Sequence, residues 1–316
     1  MIVKDKNIIL VNIILGLLSL VACNYKNSIS SGKIARADIS STKEKTIVLG
    51  DISNNPQKKI RKFQPLANYL VENLDEFDRG EVKVVPNMVT MISWLESGEV
   101  DLYIDSPYPA MLAMKKAGAK PILRRWKKGS AEYHSIIFTM SDRHIDSLAD
   151  LKGKTIAFDH PASTTGYLLP LVELSRQGLN PVEKKSRNSP VAKDAVGYVF
   201  SYEDENSIEW LLSGKVEAAA IDNLYFAKIS PEIKDKITVL TKTESIARNL
   251  VMVNKDMPSE QIDSISKTLL VMNESVEGQE VLKKFSRTTK FDRLTTTKSL
   301  DRIHELYQQT QNHEVE

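Results

Sequence analysis

The sequence predicts an α/β protein of two lobes, each a mainly parallel sheet flanked by helices, the two joined by a two-strand hinge. Three observations carry this. A nine-residue stretch recurs: Ile92-Ser-Trp-Leu-Glu-Ser-Gly-Glu-Val100 lines up with Ile208-Glu-Trp-Leu-Leu-Ser-Gly-Lys-Val216, identical at six of nine positions and offset by 116 residues. The same strand, helix, strand order precedes each copy. Two β-rich runs, residues 133–140 and 249–253, stand where the chain would cross between lobes.

In the first lobe, the apolar run 47–50 reads as a strand closing on Asp51, 62–74 as a helix and 82–85 as a second strand. The repeat then supplies a helix ended by Gly98, where a left-handed conformation suits glycine, and a strand over 100–104. In the second lobe, 154–158 closes on Asp159, 164–177 is a helix ended by Gly178, and 195–200 is a strand. The second copy gives a helix ended by Gly214 and a strand over 216–221. Trp94 and Trp210 are expected in the core, pinning helix to sheet. Residues 237–241 and 249–253 form the return path, and three final helices, near 259–272, 276–285 and 299–311, are expected to cover the outside of the first lobe. The expected division is 46–138 plus 242–316 for lobe 1 and 139–241 for lobe 2.

The 316 residues carry 43 Lys+Arg against 41 Asp+Glu, with 41% hydrophobic and 27% charged. That excludes disorder for the bulk and leaves no positive excess for nucleic acid. A single Cys excludes a disulfide framework or cysteine-ligated metal, and five scattered His argue against a dedicated metal site, so no cofactor is expected. At the N-terminus, Lys4 and Lys6 precede an uncharged, mostly apolar run over 8–22, too short to span a bilayer at about 20 residues but matching an export signal. It ends in Leu20-Val21-Ala22-Cys23, which resembles the lipobox of bacterial lipoproteins. Residues 1–22 therefore read as a signal peptide, Cys23 as the lipid attachment, and 23–45, rich in Ser, Asn and Lys, as a flexible tether. The body is expected outside the cytoplasm, anchored to a bacterial membrane, as a monomer.

Ligands of open α/β sheets sit outside the carboxyl ends of the strands. Here those ends carry Asp51, Ser106 and Tyr108, Asp159, the 201–206 loop with Asp204, and Asp222, a polar ring facing a cleft. Asp51 and Asp222 serve there either as cleft contacts or as turn formers. The sharpest feature is Asp159-His-Pro-Ala-Ser163-Thr164-Thr165-Gly166, between a strand and a helix. Hydroxyl residues at a helix start leave backbone N–H groups pointing along the positive end of the dipole, a site for phosphate or carboxylate; the alternative is an ordinary cap. Gly166 would let a ligand approach the first turn.

That segment with Tyr167 and Pro170, the preceding Ile145-Asp-Ser-Leu-Ala-Asp-Leu-Lys-Gly-Lys154, and Phe63-Gln-Pro-Leu-Ala-Asn-Tyr-Leu70 resemble the phosphonate-, phosphite- and phosphate-binding proteins of ABC importers, from about residue 47 to 272. The resemblance implies a type II periplasmic binding protein fold, a small anionic ligand, an ABC permease as partner, no catalysis, and Ser163, Thr164 and Thr165 as the oxyanion contacts. Three departures stand out. Met88 occupies the place of a family aromatic, Tyr108 substitutes from a shifted position, and Glu203-Asp204-Glu205-Asn206 replaces Ser-His-Asp. Carboxylates repel an anion unless a proton is shared, so Asp204 suits a ligand with a protonated oxygen or an ammonium group; otherwise the cluster is a helix start favoured by the dipole. Two further readings are a receptor of the same fold signalling to a membrane sensor protein, and a hydrolase using Ser163, which lacks a Gly-x-Ser-x-Gly elbow or a Ser-x-x-Lys pair.

Overall fold

The computed structural model describes residues 44–294 and 298–311; the expected signal peptide, Cys23 and the tether up to residue 43 lie outside the described residues. The described part starts with β1 (Thr46–Ile52), whose central residues are buried on both faces, as an apolar run in mid-sheet must be. In α1 (Pro56–Glu72), the Asn55 side chain accepts from the Lys58 N–H and Pro56 presets the first turn. The helix begins six residues before the sequence expectation because its first turns, Pro56 to Ile60, bury no side chain and so carry no apolar period. Then come β2 (Arg79–Val85), α2 (Met88–Ser97), β3 (Leu102–Asp105), α3 (Pro107–Ala117) and β4 (Lys120–Lys127). Next are the short β5 (Glu132–Tyr133), β6 (Ser135–Met140), β7 (Thr155–Phe158), α4 (Leu169–Arg176), β8 (Asn180–Glu183), β9 (Ala195–Phe200), α5 (Asp204–Leu212) and β10 (Ala218–Asp222). The chain closes with α6 (Asn223–Phe226), α7 (Pro231–Lys234), β11 (Ile237–Lys242), β12 (Ile246–Ala247), β13 (Leu250–Val253), α8 (Ser259–Val271), α9 (Val276–Lys284), β14 (Thr288–Arg293) and α10 (Lys298–Gln311).

The strands form two six-stranded sheets, β14-β4-β13-β3-β1-β2 and β11-β6-β10-β7-β9-β8, and β5 pairs with β12 in a third, two-stranded ladder. The strands of each sheet mostly run one way. The exceptions have one cause for β6 and β13: each enters its sheet from the hinge, so it starts where its neighbours end and runs antiparallel to them. The first crossing falls at Tyr133 and His134, earlier than expected. Ser135 to Phe138, assigned by sequence to lobe 1, pair with β10 and β11 of the second sheet, because the whole of β6 is needed to fill the space between those strands. The return runs from Lys242 to Leu250, and the β5–β12 ladder ties the two crossings together.

Both copies of the repeat end as expected, with Gly98 at φ 76° and Gly214 at φ 71°. Their tryptophans are half-buried rather than central. Trp94 lies against the first core with Lys83 Nζ 5.3 Å above its ring, and Trp210 packs on the second with the Arg187 guanidinium at 4.4 Å. Helices α8 and α9 cover the first sheet. The last helix departs from expectation. Leu300, Ile303 and Leu306 of α10 share one apolar cluster with Ala110 and Met111 of α3 and with Leu169 and Val172 of α4, so α10 touches both lobes. Arg302 adds a two-pronged pair with Glu244 on the return crossing, at 2.7 and 2.9 Å, and Arg176 of α4 reaches the same carboxylate at 3.3 Å.

Candidate functional site

The carboxyl ends of β1, β3, β4, β7, β9 and β10 open onto a cleft of about 990 Å³ between the sheets. Asp51, Met88, Ser106 and Asp159 line it, as do Ser163, Thr165, Asp204 and Asp222. Tyr108 and Thr164, expected there, are not in its lining. Tyr108 starts α3 and is 7% exposed, its ring 5.6 Å from that of Tyr307 on α10. Its N–H donates to Thr164 Oγ1 at 2.9 Å, with Thr164 1% exposed. The two are therefore consumed in a contact between lobes, which leaves that hydroxyl turned away from the cleft.

The Ser-Thr-Thr-Gly turn is built as a wide first turn. The Leu168 N–H reaches back five residues to the Ser163 carbonyl at 3.0 Å, and Ser163 Oγ accepts from the Gly166 N–H at 3.0 Å. The Ser163 hydroxyl thus caps the turn and also bonds the Asp159 carboxyl, while Thr165, 5% exposed, stands in the cleft lining. Gly166 has another role than the one expected. A Cβ there would stand 2.4 Å from the Asp159 Cβ and 2.8 Å from Ser163 Oγ, so the glycine lets the end of β7 lie against the turn rather than admitting a ligand.

The acidic residues divide by role. Asp222 Oδ1 accepts from the Leu224 and Tyr225 N–H groups at 2.7 and 2.9 Å, capping α6. Asp51 is buried and pairs with Lys59 at 2.9 Å; burial raises its pKa and the lysine pulls it back. Asp204, in the first turn of α5, has its pKa raised well above the carboxylate range by burial and by the charges of Asp159, Asp222 and Glu205. Asp159 is likewise raised, chiefly by burial. Burial thus biases both carboxyls toward their neutral forms.

Cations that the sequence reading passed over balance the rest. The cleft wall holds seven Lys and Arg against seven Asp and Glu, so it does not repel anions as a whole. Arg125 on β4 is 4% exposed, and Arg248, at the start of the strand returning to the first sheet, is 2% exposed. Arg125 lies 4.4 Å over the Phe285 ring and Arg248 4.4 Å over that of Tyr133, flat guanidiniums seated on aromatic faces. Arg125 Nη2 and Arg248 Nε and Nη2 are buried donors without a hydrogen-bond partner, whereas the buried Tyr133 hydroxyl lies against the Thr164 and Ser106 side chains; Arg248 Nη2 stands 3.6 Å from Asp222, an ion pair beyond hydrogen-bond reach. Lys127 adjoins them, its pKa lowered to about 7 by burial and by Arg125. For Arg248 a signal was present in the sequence, since it interrupts the apolar run at 246–253, where a charge has to be explained; Arg125 lies in Lys120–Lys127, where four of eight residues are cationic and one more does not stand out.

Two α/β lobes joined by paired crossings, with buried unpartnered donors at the floor of the intervening cleft, define a two-lobed solute-binding protein. Comparison with known proteins is more specific. Residues 51–298 match the family described as "ABC transporter, phosphonate, periplasmic substrate-binding protein", and the chain belongs to that family, one of binding proteins rather than enzymes. The phosphate-import protein PhnD of Mycolicibacterium smegmatis is 23% identical over 198 residues, 60% of this chain and 60% of that relative's length. XAC2383 of Xanthomonas citri, solved with chloride and with ATP, superposes with a TM-score of 0.80 in both cases, at 28% and 27% identity. The alignment covers 85% and 86% of this chain and 99% and 100% of the respective structures. PhnD1 of Prochlorococcus marinus, in complex with methylphosphonate, shares the fold at a TM-score of 0.66 and 18% identity, over 84% of this chain and 98% of that one. Among the described residues no helix is long and apolar enough to cross a membrane.

Proposed function

We propose that the chain is an extracytoplasmic, lipid-anchored receptor that holds a phosphorus oxyanion, whether phosphonate, phosphite or phosphate, in the cleft and delivers it to an ABC permease. One observation carries the reading: three buried donor atoms of Arg125 and Arg248, two arginines of the cleft wall, have no hydrogen-bond acceptor in the protein. Leaving a buried donor unmade costs about 1–3 kcal/mol, so a cleft built this way favours an incoming acceptor. The names of relatives support the same class of ligand, from phosphate import to a bound methylphosphonate.

In this reading Arg125 and Arg248 neutralise the oxyanion from the hinge side, while Ser163 and Thr165 meet it from the second lobe. A ligand touching both lobes stabilises the closed arrangement in proportion to the contacts it makes only there. Burial biases Asp159 and Asp204 toward their neutral forms, which lessens the repulsion between this acidic wall and an anionic oxygen. Cys23 is the anchor, and Cys23→Ser is expected to move the protein from membrane to soluble fractions.

The test is binding. Phosphate, phosphite or methylphosphonate should raise the melting temperature of the full chain, since a ligand bound only to the native state stabilises it. Arg248→Met should weaken that binding by about 2–3 kcal/mol, the range for a hydrogen bond to charge. No shift with any phosphorus anion, or full affinity in Arg248→Met, would refute the assignment.

A further inference from the structure

The Glu203-Asp204-Glu205 run of the second lobe has a cationic counterpart across the cleft. On the first lobe, α1 carries Lys58, Lys59 and Lys62, and both sets line the cavity. Lys59 pairs with Asp51 of its own lobe at 2.9 Å. Lys58 reaches across instead: its Nζ stands 3.7 Å from Glu203 Oε1, an ion pair between lobes whose side chains are 43 and 49% exposed. Neighbouring groups feel the same charges. Burial and then Lys58 and Lys59 lower the pKa of Lys62, with Glu203 pulling the other way. Glu205 is held below its usual range, against its burial, by hydrogen bonds and then by Lys58.

The loop fixes the backbone of Glu203 while leaving its side chain to that contact. Glu203 is the N-cap of α5 yet makes no side-chain cap, at a position where Ser, Thr, Asp or Asn would supply one. Its carbonyl accepts from the Ser201 hydroxyl at 3.1 Å and from the Ser207 N–H at 3.2 Å. Tyr202, just before it, is held at φ 64°, a left-handed conformation disfavoured for tyrosine, with its N–H donating to the Asp159 carbonyl at 2.7 Å. Strain of this kind persists only where the surroundings over-determine it, and it clusters at clamps and switch regions. Away from the cleft lining, the lobes are joined by the Tyr108–Thr164 hydrogen bond and by the apolar packing of α3, α4 and α10. Opening about that packed side parts Lys58 from Glu203 first.

We propose that Lys58 and Glu203 form an electrostatic latch across the cleft, which favours the closed arrangement of the lobes independently of the ligand and slows the ligand's departure. An exposed ion pair moves an equilibrium by about two- to fivefold, enough to bias two lobes without locking them, and salt screens it. The latch does not depend on which anion binds. It also gives an acid beside an anion site a purpose: Glu203 serves the opposite lobe rather than the ligand.

Spin labels at Glu72→Cys on α1 and Lys185→Cys after β8, an exposed site in each lobe, report opening of the ligand-free full chain in a Cys23→Ser background. At low salt, Lys58→Gln and Glu203→Gln should each lower the closed-to-open ratio about two- to fivefold, and the double variant no further than either. The exchange of Lys58→Glu with Glu203→Lys should restore it. Added salt should open the unsubstituted pair more than either glutamine variant. Stopped-flow release of inorganic phosphate gives a second readout, in which the sign decides. Were the two residues to act on the anion only through their charges, Lys58→Gln would speed release and Glu203→Gln would slow it; the latch requires both to speed it, by about two- to fivefold. Unchanged distances in the single variants, additive effects in the double, or opposite signs on release would overturn the inference. A chain that binds no phosphorus anion would remove the oxyanion reading and leave the label distances to decide this one.

Discussion

Lys127→Met is the perturbation that most directly tests whether the cleft floor is built for an anion at the expense of stability. The ammonium sits among Arg125, Arg248, Asp222 and Asp204, and its pKa falls from 10.5 to about 7. At 1.36 kcal/mol per unit, that shift costs the folded state roughly 5 kcal/mol below pH 7. Between the two values the unfolded chain binds more protons than the folded one, so this contribution makes stability rise with pH; by pH 9 about 2 kcal/mol of the cost remains. Methionine keeps the buried stem and removes the charge. The variant should therefore be more stable than the wild type by about 4–5 kcal/mol at pH 6 and by about 2 kcal/mol at pH 9. Chemical denaturation followed by tryptophan emission reports on both lobes, since Trp94 and Trp126 lie in the first and Trp210 in the second. A variant no more stable than wild type at pH 6, or a gain of equal size at both pH values, would refute the picture of a desolvated ammonium. The same substitution should weaken oxyanion binding, because an incoming anion returns Lys127 to its charged form.

Two further substitutions separate structure from binding around the turn. Thr164→Val removes the acceptor of the Tyr108 N–H and should cost about 1–3 kcal/mol of stability in thermal or chemical unfolding, while calorimetry finds methylphosphonate affinity within about twofold of wild type. Gly166→Ala forces a methyl group against the Asp159 and Ser163 side chains and should lower both stability, by about 1–3 kcal/mol, and affinity, since the turn carrying Ser163 and Thr165 has to move. An alanine variant that melts and binds like wild type would show that the turn yields freely.

Much of the fold was legible because it is periodic. The repeat at Trp94 and Trp210 marked two helix-to-strand units, and apolar runs ending in Asp51 and Asp159 marked strands whose ends face the cleft. What escaped was carried by pairing rather than pattern. The membership of β6 in the second sheet depends on partners some 80 and 100 residues away. The reach of α10 onto α4 depends on which of its apolar residues finds which neighbour. Of the residues expected at the cleft, Asp51, Met88, Ser106, Asp159, Ser163, Thr165, Asp204 and Asp222 line it, placed there by strand ends, helix starts and a turn. Tyr108 and Thr164 were misread because proximity to the turn in sequence does not tell whether a side chain faces the cleft or the other lobe. Arg125 and Arg248 were missed since β4 and the return strand were not read as contributors to the cleft, although the Arg248 charge lay inside an apolar run.

The strand order has a consequence for how the molecule is assembled. Residues 135–242 contain every strand of the second sheet, so that sheet can close as soon as its own stretch has been synthesised. The first sheet is different: β3 has β1 on one side and, on the other, β13, which arrives about 150 residues later. Until then, one side of β3 is an open row of backbone donors and acceptors, ready to pair with the wrong strand. The middle of the gene therefore yields the first finished module. In chains halted near residue 245, the second lobe should resist protease while residues 46–127 remain cleavable, and the earliest strands to leave the ribosome would be among the last to find their place.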